Sequence, residues 1–218
     1  MKPWSFEIRY GKKIMSASSS HKSTVYIVDD DQAIRRAMEL LMRSVGLVYE
    51  IFHSADEFLE TYTSDRAGCL VLDIRMPGMG GLELQEKLNE LGSSLPIIFI
   101  TGHGDVPMAV EAMQKGAIDF IQKPFRDQEL LDGISEAVKT DQERRSAREE
   151  KAEVLSRIEK LTNREEEVLN LVVTGKPNKV IAYELGVSQR TVEIHRARVM
   201  EKMQAKSLAD LVRMHLAT

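Results

Sequence analysis

Cys69-Leu70-Val71-Leu72-Asp73-Ile74-Arg75-Met76-Pro77-Gly78-Met79-Gly80-Gly81 is the stretch that decides the fold. Its apolar run, Cys69 to Leu72, reads as a short buried strand, and Pro77, Gly78, Gly80 and Gly81 break the chain soon after it. Asp73 is therefore expected where a strand surfaces, the edge at which open α/β sheets carry their chemistry.

On either side of this stretch, short apolar runs alternate with longer helical ones. Strands are predicted over Thr24–Val28, Leu47–Phe52, Cys69–Leu72, Pro96–Ile100 and Ile118–Ile121. Between them, helices are predicted over Ala33–Val45, Ala55–Tyr62 and Leu82–Leu91. A fourth opens at Asp105-Val106-Pro107, with Asp105 as its cap and Gly116 closing it, and a fifth begins near Asp127. The expected fold is α/β: a five-stranded parallel, doubly wound (flavodoxin-like) sheet, followed by a small all-α helix-turn-helix domain. Asp29 and Asp30 follow the first predicted strand, and Asp73, Thr101 and Lys123 end or follow three others, so the topology gathers all five at one edge.

Asp29-Asp30-Asp31 alone has a bland reading, with Asp31 capping the next helix and the other two solvated. Crowded carboxylates repel unless a cation or proton relieves them, and adding Asp73 from another strand makes a set of hard oxygen ligands suited to Mg²⁺. An ammonium at Lys123 and a hydroxyl at Thr101 beside such an ion suit a phosphoryl group.

The chain's 218 residues suit two small domains. Its formal charge of −4 is uneven. Residues 22–140 carry eleven Lys and Arg against twenty Asp and Glu, a balance of −9; residues 156–218 carry eleven against eight, a balance of +3. An acidic first half and a basic second half suggest separate partners, nucleic acid for the second. The single cysteine, Cys69, excludes an internal disulfide and fits a reducing, cytoplasmic compartment. No apolar run approaches the roughly 20 residues that cross a bilayer, so no membrane partner is expected.

Residues 1–22 lack periodicity and read as a flexible extension, with Met15 an alternative start. The first domain is expected over 23–140, a charged linker over 141–156, and the second domain over 157–218. The linker is dense in Glu, Arg and Lys, and its sequence is compatible with a helical extension or a solvated coil. Beyond it, Thr162 and Glu165 have capping-box spacing, and Val168, Leu171 and Val172 share a helix face ended by Gly175. Asn178 is expected to cap a short helix, Gly186-Val187-Ser188 to turn, and Gln189–Met203 to form a longer helix; Ser207 starts a last one. Val192, Val199 and Met203 would pack inward, leaving Arg190, Glu193, Ile194 and Ala197 outward.

Val28-Asp29-Asp30-Asp31, Leu72–Gly78, Ile100-Thr101-Gly102-His103-Gly104-Asp105 and Lys123-Pro124-Phe125 resemble the signatures of a two-component receiver domain. Leu161–Glu165, Asn178–Ala182 and Thr191–His195 resemble a LuxR-type helix-turn-helix domain. Together the halves are similar to the NarL/FixJ family of response regulators, and Gly102–Val110 to its FixJ-like branch. The resemblance implies that Asp73 is the phosphoacceptor, that Asp29, Asp30, Asp73 and the backbone carbonyl of Arg75 hold Mg²⁺, and that Lys123 pairs with the phosphoryl group. It implies a switch in which Thr101 moves and Phe120 follows. Phe120 stands where many receivers have tyrosine, so a phenolic hydrogen bond has no part in it. Lys123-Pro124 is an expected cis peptide.

The implied partners are a sensor histidine kinase, double-stranded DNA at a two-fold promoter site, RNA polymerase, and a second copy of the phosphorylated chain. Glu193, Ile194 and Ala197 fall where the family reads bases, Arg190 lies on the same outward face, and Lys179, Thr191, Arg196, Arg198 and Lys202 are expected at phosphates. Glu193 could accept from a cytosine amine or hold an arginine in place. A competing reading, a phosphohydrolase with Asp73 as nucleophile, needs an aspartate two positions later, where this chain has Arg75. A regulator is therefore expected rather than an enzyme, with only slow hydrolysis of its own aspartyl phosphate. A third reading keeps the receiver and makes the output a protein-interaction module.

Overall fold

The computed structural model describes residues 23–102 and 106–217. The expectations for the N-terminal extension, for Met15 and for Asp105 as a cap lie outside the described residues.

Among the described residues, β1 (Thr24–Val28), α1 (Gln32–Val45), β2 (Val48–Phe52), α2 (Ala55–Thr61), β3 (Gly68–Asp73), α3 (Gly81–Glu90), β4 (Ile97–Thr101), α4 (Val106–Gln114), β5 (Asp119–Gln122) and α5 (Asp127–Ile158) follow in turn. The strands form one parallel sheet in the order β2-β1-β3-β4-β5. Both faces are covered, so alternate residues of each central strand enter different cores. Tyr26, Val28, Leu70, Leu72, Ile97 and Phe99 face one core with Phe58, Leu84 and Leu88. Val25, Ile27, Cys69, Val71, Ile98 and Ile100 face the other with Met38, Met42, Leu130 and Ile134. Because β1 is buried along its whole length, its hydrophobic run continues into Asp29, which is fully buried.

Arg66, in the loop before β3, closes the first of these cores. Its guanidinium carbon lies 4.5 Å from the centre of the Tyr26 ring, 5.1 Å from Phe58 and 5.5 Å from Phe52, while Nη2 donates at 2.9 Å to both the carbonyl and the hydroxyl of Thr61. A planar cation that stacks on rings and bonds at its edge is not replaced by an ammonium. Arg66→Ala is expected to cost about 2 kcal/mol in chemical denaturation, with Arg66→Lys recovering less than half.

The chain divides between Val138 and Lys139 into two compact units. The charged stretch that the sequence leaves open between coil and helix is helical: α5 runs to Ile158. Asp141–Arg145 and Glu153–Arg157 ion pairs, four residues apart, support it where apolar periodicity is missing. Val154 is buried in the second unit's core and Ile158 packs against it, so that core begins before Leu161. The remaining helices of this unit are α6 (Asn163–Val173), α7 (Asn178–Leu185), α8 (Gln189–Met203) and α9 (Leu208–Leu216).

Candidate phosphorylation site and nucleic-acid interface

At the carboxyl edge of the sheet, β1 delivers Asp29, β3 ends in Asp73 and β4 ends in Thr101. Gly81 lets α3 return close beneath Asp73; a Cβ there would stand 2.3 Å from the Asp73 carbonyl oxygen, so this position requires glycine. Asp31 caps α1 by accepting from the Ala33 N–H at 2.7 Å, and its own N–H donates to Asp29 Oδ1 at 2.8 Å. Arg35 Nη1 donates to the Asp29 carbonyl at 2.7 Å. Asp29 is thus fixed by its neighbours, whereas Asp30 is exposed.

Lys123 follows β5 across a cis peptide to Pro124, and its backbone N–H donates to the Thr101 carbonyl at 2.8 Å. Its ammonium lies 2.7 Å from Asp29 Oδ2 and 3.2 Å from Asp73 Oδ2. Burial alone would depress the lysine; the hydrogen bond and charge of Asp29, with those of Asp73, overcome it and hold the ammonium above its ordinary range. The Asp73 carboxyl is raised, first by burial and then by Asp29, against the opposing pull of Lys123 and the Arg75 backbone N–H. Asp73 Oδ1 is buried and accepts no hydrogen bond among the described residues.

Oxygens of Asp29, Asp30 and Asp73 all lie within 4.8 Å of one another. Three convergent carboxylate oxygens, with one buried oxygen of Asp73 lacking a donor among the described residues, fit a hard divalent cation. A cleft of about 300 Å³ opens beside them, lined by Asp30, Asp31, Ile34, Asp73, Arg75, Thr101, Gly102 and Lys123. The five residues the sequence aligns at strand ends therefore meet in space. Arg75 is exposed at the cleft, and Phe120, on β5, is half-buried against the first core. His103, Gly104 and Asp105 lie outside the described residues.

In the second unit, Thr162 and Glu165 form the expected capping box at the start of α6. Gly186, at φ 65, ends α7, and Ser188 caps α8 by accepting from the Thr191 N–H at 3.1 Å. Val192, Val199 and Met203 are buried, which leaves Arg190, Glu193, Ile194, Ala197 and Arg198 exposed on α8 and Lys179 exposed on α7; Thr191 and Arg196 are half-buried. Glu193 Oε2 lies 3.4 Å from Arg190 Nη1, the geometry of a carboxylate that holds an arginine.

Two expectations change here. Asn178 does not cap α7: Pro177 occupies the cap position with extended ψ, Asn178 is the first helical residue, and its Oδ1 accepts from Arg196 Nη1 at 2.7 Å, tying α7 to α8. Lys202, expected at a phosphate, is employed elsewhere: its ammonium donates to Glu165 Oε2 at 2.6 Å and to the Lys160 carbonyl at 3.0 Å. Sequence reading also missed Arg157, whose Nη1 donates at 3.1 Å to the Met203 carbonyl at the end of α8; no local motif signals a contact across 46 residues.

Residues 25–135 match the family of the response regulator receiver domain, and residues 159–215 match the bacterial regulatory proteins of the luxR family. Nodulation protein W of Bradyrhizobium diazoefficiens is 51% identical over 196 residues, which cover 90% of this chain and 86% of that protein. The transcriptional regulatory protein FixJ of Rhizobium meliloti is 47% identical over 194 residues, covering 89% and 95% respectively. Among solved structures, the response regulator StyR aligns with a TM-score of 0.82 at 47% identity, covering 90% of this chain and all of that one. No helix among the described residues is long and apolar enough to cross a membrane. Joining a receiver domain to a LuxR-type domain, the chain belongs to the transcriptional response regulators of two-component systems.

Proposed function

We propose that Asp73 accepts a phosphoryl group from the phosphohistidine of a sensor kinase, and that the modified receiver dimerises and binds a two-fold promoter site through α8, where RNA polymerase is engaged. The observation that carries this reading is the ammonium of Lys123 set between Asp29 and Asp73, beside a buried Asp73 oxygen with no donor among the described residues. Asp29, Asp30, Asp73 and the Arg75 carbonyl would hold Mg²⁺, which, when bound, neutralises charge on the phosphoryl oxygens.

The chain's own residues do the rest. Asp73 supplies the attacking carboxylate oxygen, a bond forms from it to phosphorus as the phosphorus–nitrogen bond to the donor breaks, and the released imidazole takes up a proton. Lys123 moves its ion pair from the Asp73 carboxylate to the added oxygens. The Thr101 hydroxyl is drawn to the same oxygens, and Phe120 follows into the space it leaves. With Arg75 in place of an acid two residues after Asp73, nothing there protonates or activates for turnover, so the aspartyl phosphate hydrolyses slowly.

On α8, Glu193, Ile194 and Ala197 face base edges, with Arg190 aligned by Glu193; Lys179, Thr191, Arg196 and Arg198 meet phosphates. Incubation with Mg²⁺ and acetyl phosphate should add one phosphoryl group at Asp73, detected by intact mass, and should tighten binding to a selected DNA site. Affinity should fall steeply with salt, and Arg198→Ala should lower the slope of log K against log salt by about 1. A slope that is unchanged by Arg198→Ala removes that residue from the interface, and failure of random oligonucleotides to yield any selected sequence points to a protein-interaction output instead.

A further inference from the structure

Of the three clustered carboxylates, Asp30 is the one held least. Asp29 is fully buried, and its two carboxylate oxygens accept from the Asp31 N–H at 2.8 Å and from the Lys123 ammonium at 2.7 Å. Asp30 is exposed, yet one of its carboxylate oxygens lies within 4.8 Å of oxygens of Asp29 and Asp73. Among the described residues nothing donates to that carboxylate. Its direction is therefore set by the backbone, above all by the peptide group that joins Asp29 to Asp30.

The carbonyl of that peptide group is the carbonyl of Asp29, one residue beyond β1. The Asp29 N–H still donates to the Phe52 carbonyl at 3.3 Å, but no backbone N–H among the described residues donates to the Asp29 carbonyl. Arg35, one turn into α1, takes that place with Nη1 at 2.7 Å. It does so from outside the cleft that holds the carboxylates: Asp30, Asp31 and Ile34 line that cleft, whereas Arg35 lines a separate one of about 420 Å³ with Arg36 and Glu39. No carboxylate pairs with its guanidinium among the described residues, so the Asp29 carbonyl is what orients it.

Charge and geometry act in opposite directions here. A guanidinium near the carboxylates repels a divalent cation, so as a charge alone Arg35 would weaken binding of the ion. As a restraint on the Asp29–Asp30 peptide it would strengthen binding, because ligands held in place beforehand lose less freedom on capture. We propose that Arg35 is a positioning residue for Mg²⁺: by holding the Asp29 carbonyl it aims the exposed Asp30 carboxylate at the ion, and this outweighs its own repulsion. The proposal rests on the reading of Asp29, Asp30 and Asp73 as Mg²⁺ ligands and deepens it.

The test is calorimetric titration of the full, unphosphorylated chain with MgCl₂. Arg35→Met, which loses both charge and donor, should bind Mg²⁺ about tenfold more weakly, the lower end of what residues that orient metal ligands contribute. Arg35→Gln, whose amide is too short to reach the carbonyl, should repeat the loss. Arg36→Met removes an exposed neighbouring charge and should bind as tightly as the wild type or more tightly. Without Mg²⁺, the Asp31 amide that Asp29 holds should exchange its hydrogen faster in both Arg35 variants. Half-maximal incorporation from acetyl phosphate should then need about tenfold more Mg²⁺ than in the wild type. Wild-type or tighter Mg²⁺ binding by the folded Arg35 variants, or an equal loss in Arg36→Met, overturns the positioning role. A lower metal-free Tm with unchanged Mg²⁺ affinity makes Arg35 a structural residue and overturns it equally. Failure of the wild type to bind Mg²⁺ overturns the reading of the ligands, and the role of Arg35 with it.

Discussion

Asp73→Asn should leave a protein that is more stable than the wild type and cannot switch. The expected results are no phosphoryl incorporation from acetyl phosphate and Mg²⁺, no gain in DNA affinity, and a stability increase of about 0.5–2 kcal/mol, the range typical when strain at a functional site is relieved. The physical origin is the raised carboxyl of Asp73, caused first by burial and then by Asp29, with Lys123 shared between the two. A carboxylate whose folded pKa lies above its unfolded value binds protons more tightly when folded, so its contribution to stability falls as pH rises through that window. At neutral pH the charged Asp73 is therefore a cost, and a neutral amide of the same shape removes it. The corollary is that acidification toward the ordinary carboxylate range should narrow the gap between the two proteins. Mg²⁺ supplies the same relief to the wild type by mass action, so it should raise the wild-type Tm and move the variant much less. Equal stability of the two proteins at pH 7 would show that Lys123 already compensates Asp73 fully; phosphate on the variant would place the acceptor elsewhere.

How far the sequence reveals this site depends on how local its causes are. Asp29, Asp73 and Thr101 are legible because each closes an apolar run whose burial is a property of the run itself, and parallel topology then brings the ends together. The capping box at Thr162 is legible because both of its hydrogen bonds span three residues. Asn178 misleads for the opposite reason. Asparagine before a helix is ordinarily a cap, but Pro177, with its fixed φ, takes that position and frees the amide for Arg196, 18 residues away. The helical state of residues 141–156 is hidden because intrahelical ion pairs and the late anchor of Val154 replace apolar periodicity there. Gln85 carries no motif at all, and its amide bonds to a carbonyl 27 residues on, at Ala112.

The same reasoning divides the lysines of the second unit. Lys202→Met should lower the stability of the helix-turn-helix unit by about 3 kcal/mol and leave the salt dependence of DNA binding unchanged, whereas Lys179→Ala should reduce the salt slope by about 1 and leave stability alone. Glu165 is 2% exposed, and its carboxylate accepts from Lys202 at 2.6 Å and from the Thr162 N–H at 2.9 Å, so it joins the start of α6 to the end of α8. The hydrogen bond from Lys202, followed by that from Thr162, lowers the Glu165 carboxyl from 4.5 to about 2. A depressed folded pKa stabilises above the unfolded value and is lost as pH falls, so the unit should weaken between pH 4.5 and about 2, and the variant should have already lost most of that dependence. Removing Lys202 strands a buried charge and should cost more than Glu165→Gln, because the Lys202 side chain is 34% exposed and can turn to water. A folded Lys202→Met protein with unchanged stability and a slope reduced by about 1 would return Lys202 to the phosphates.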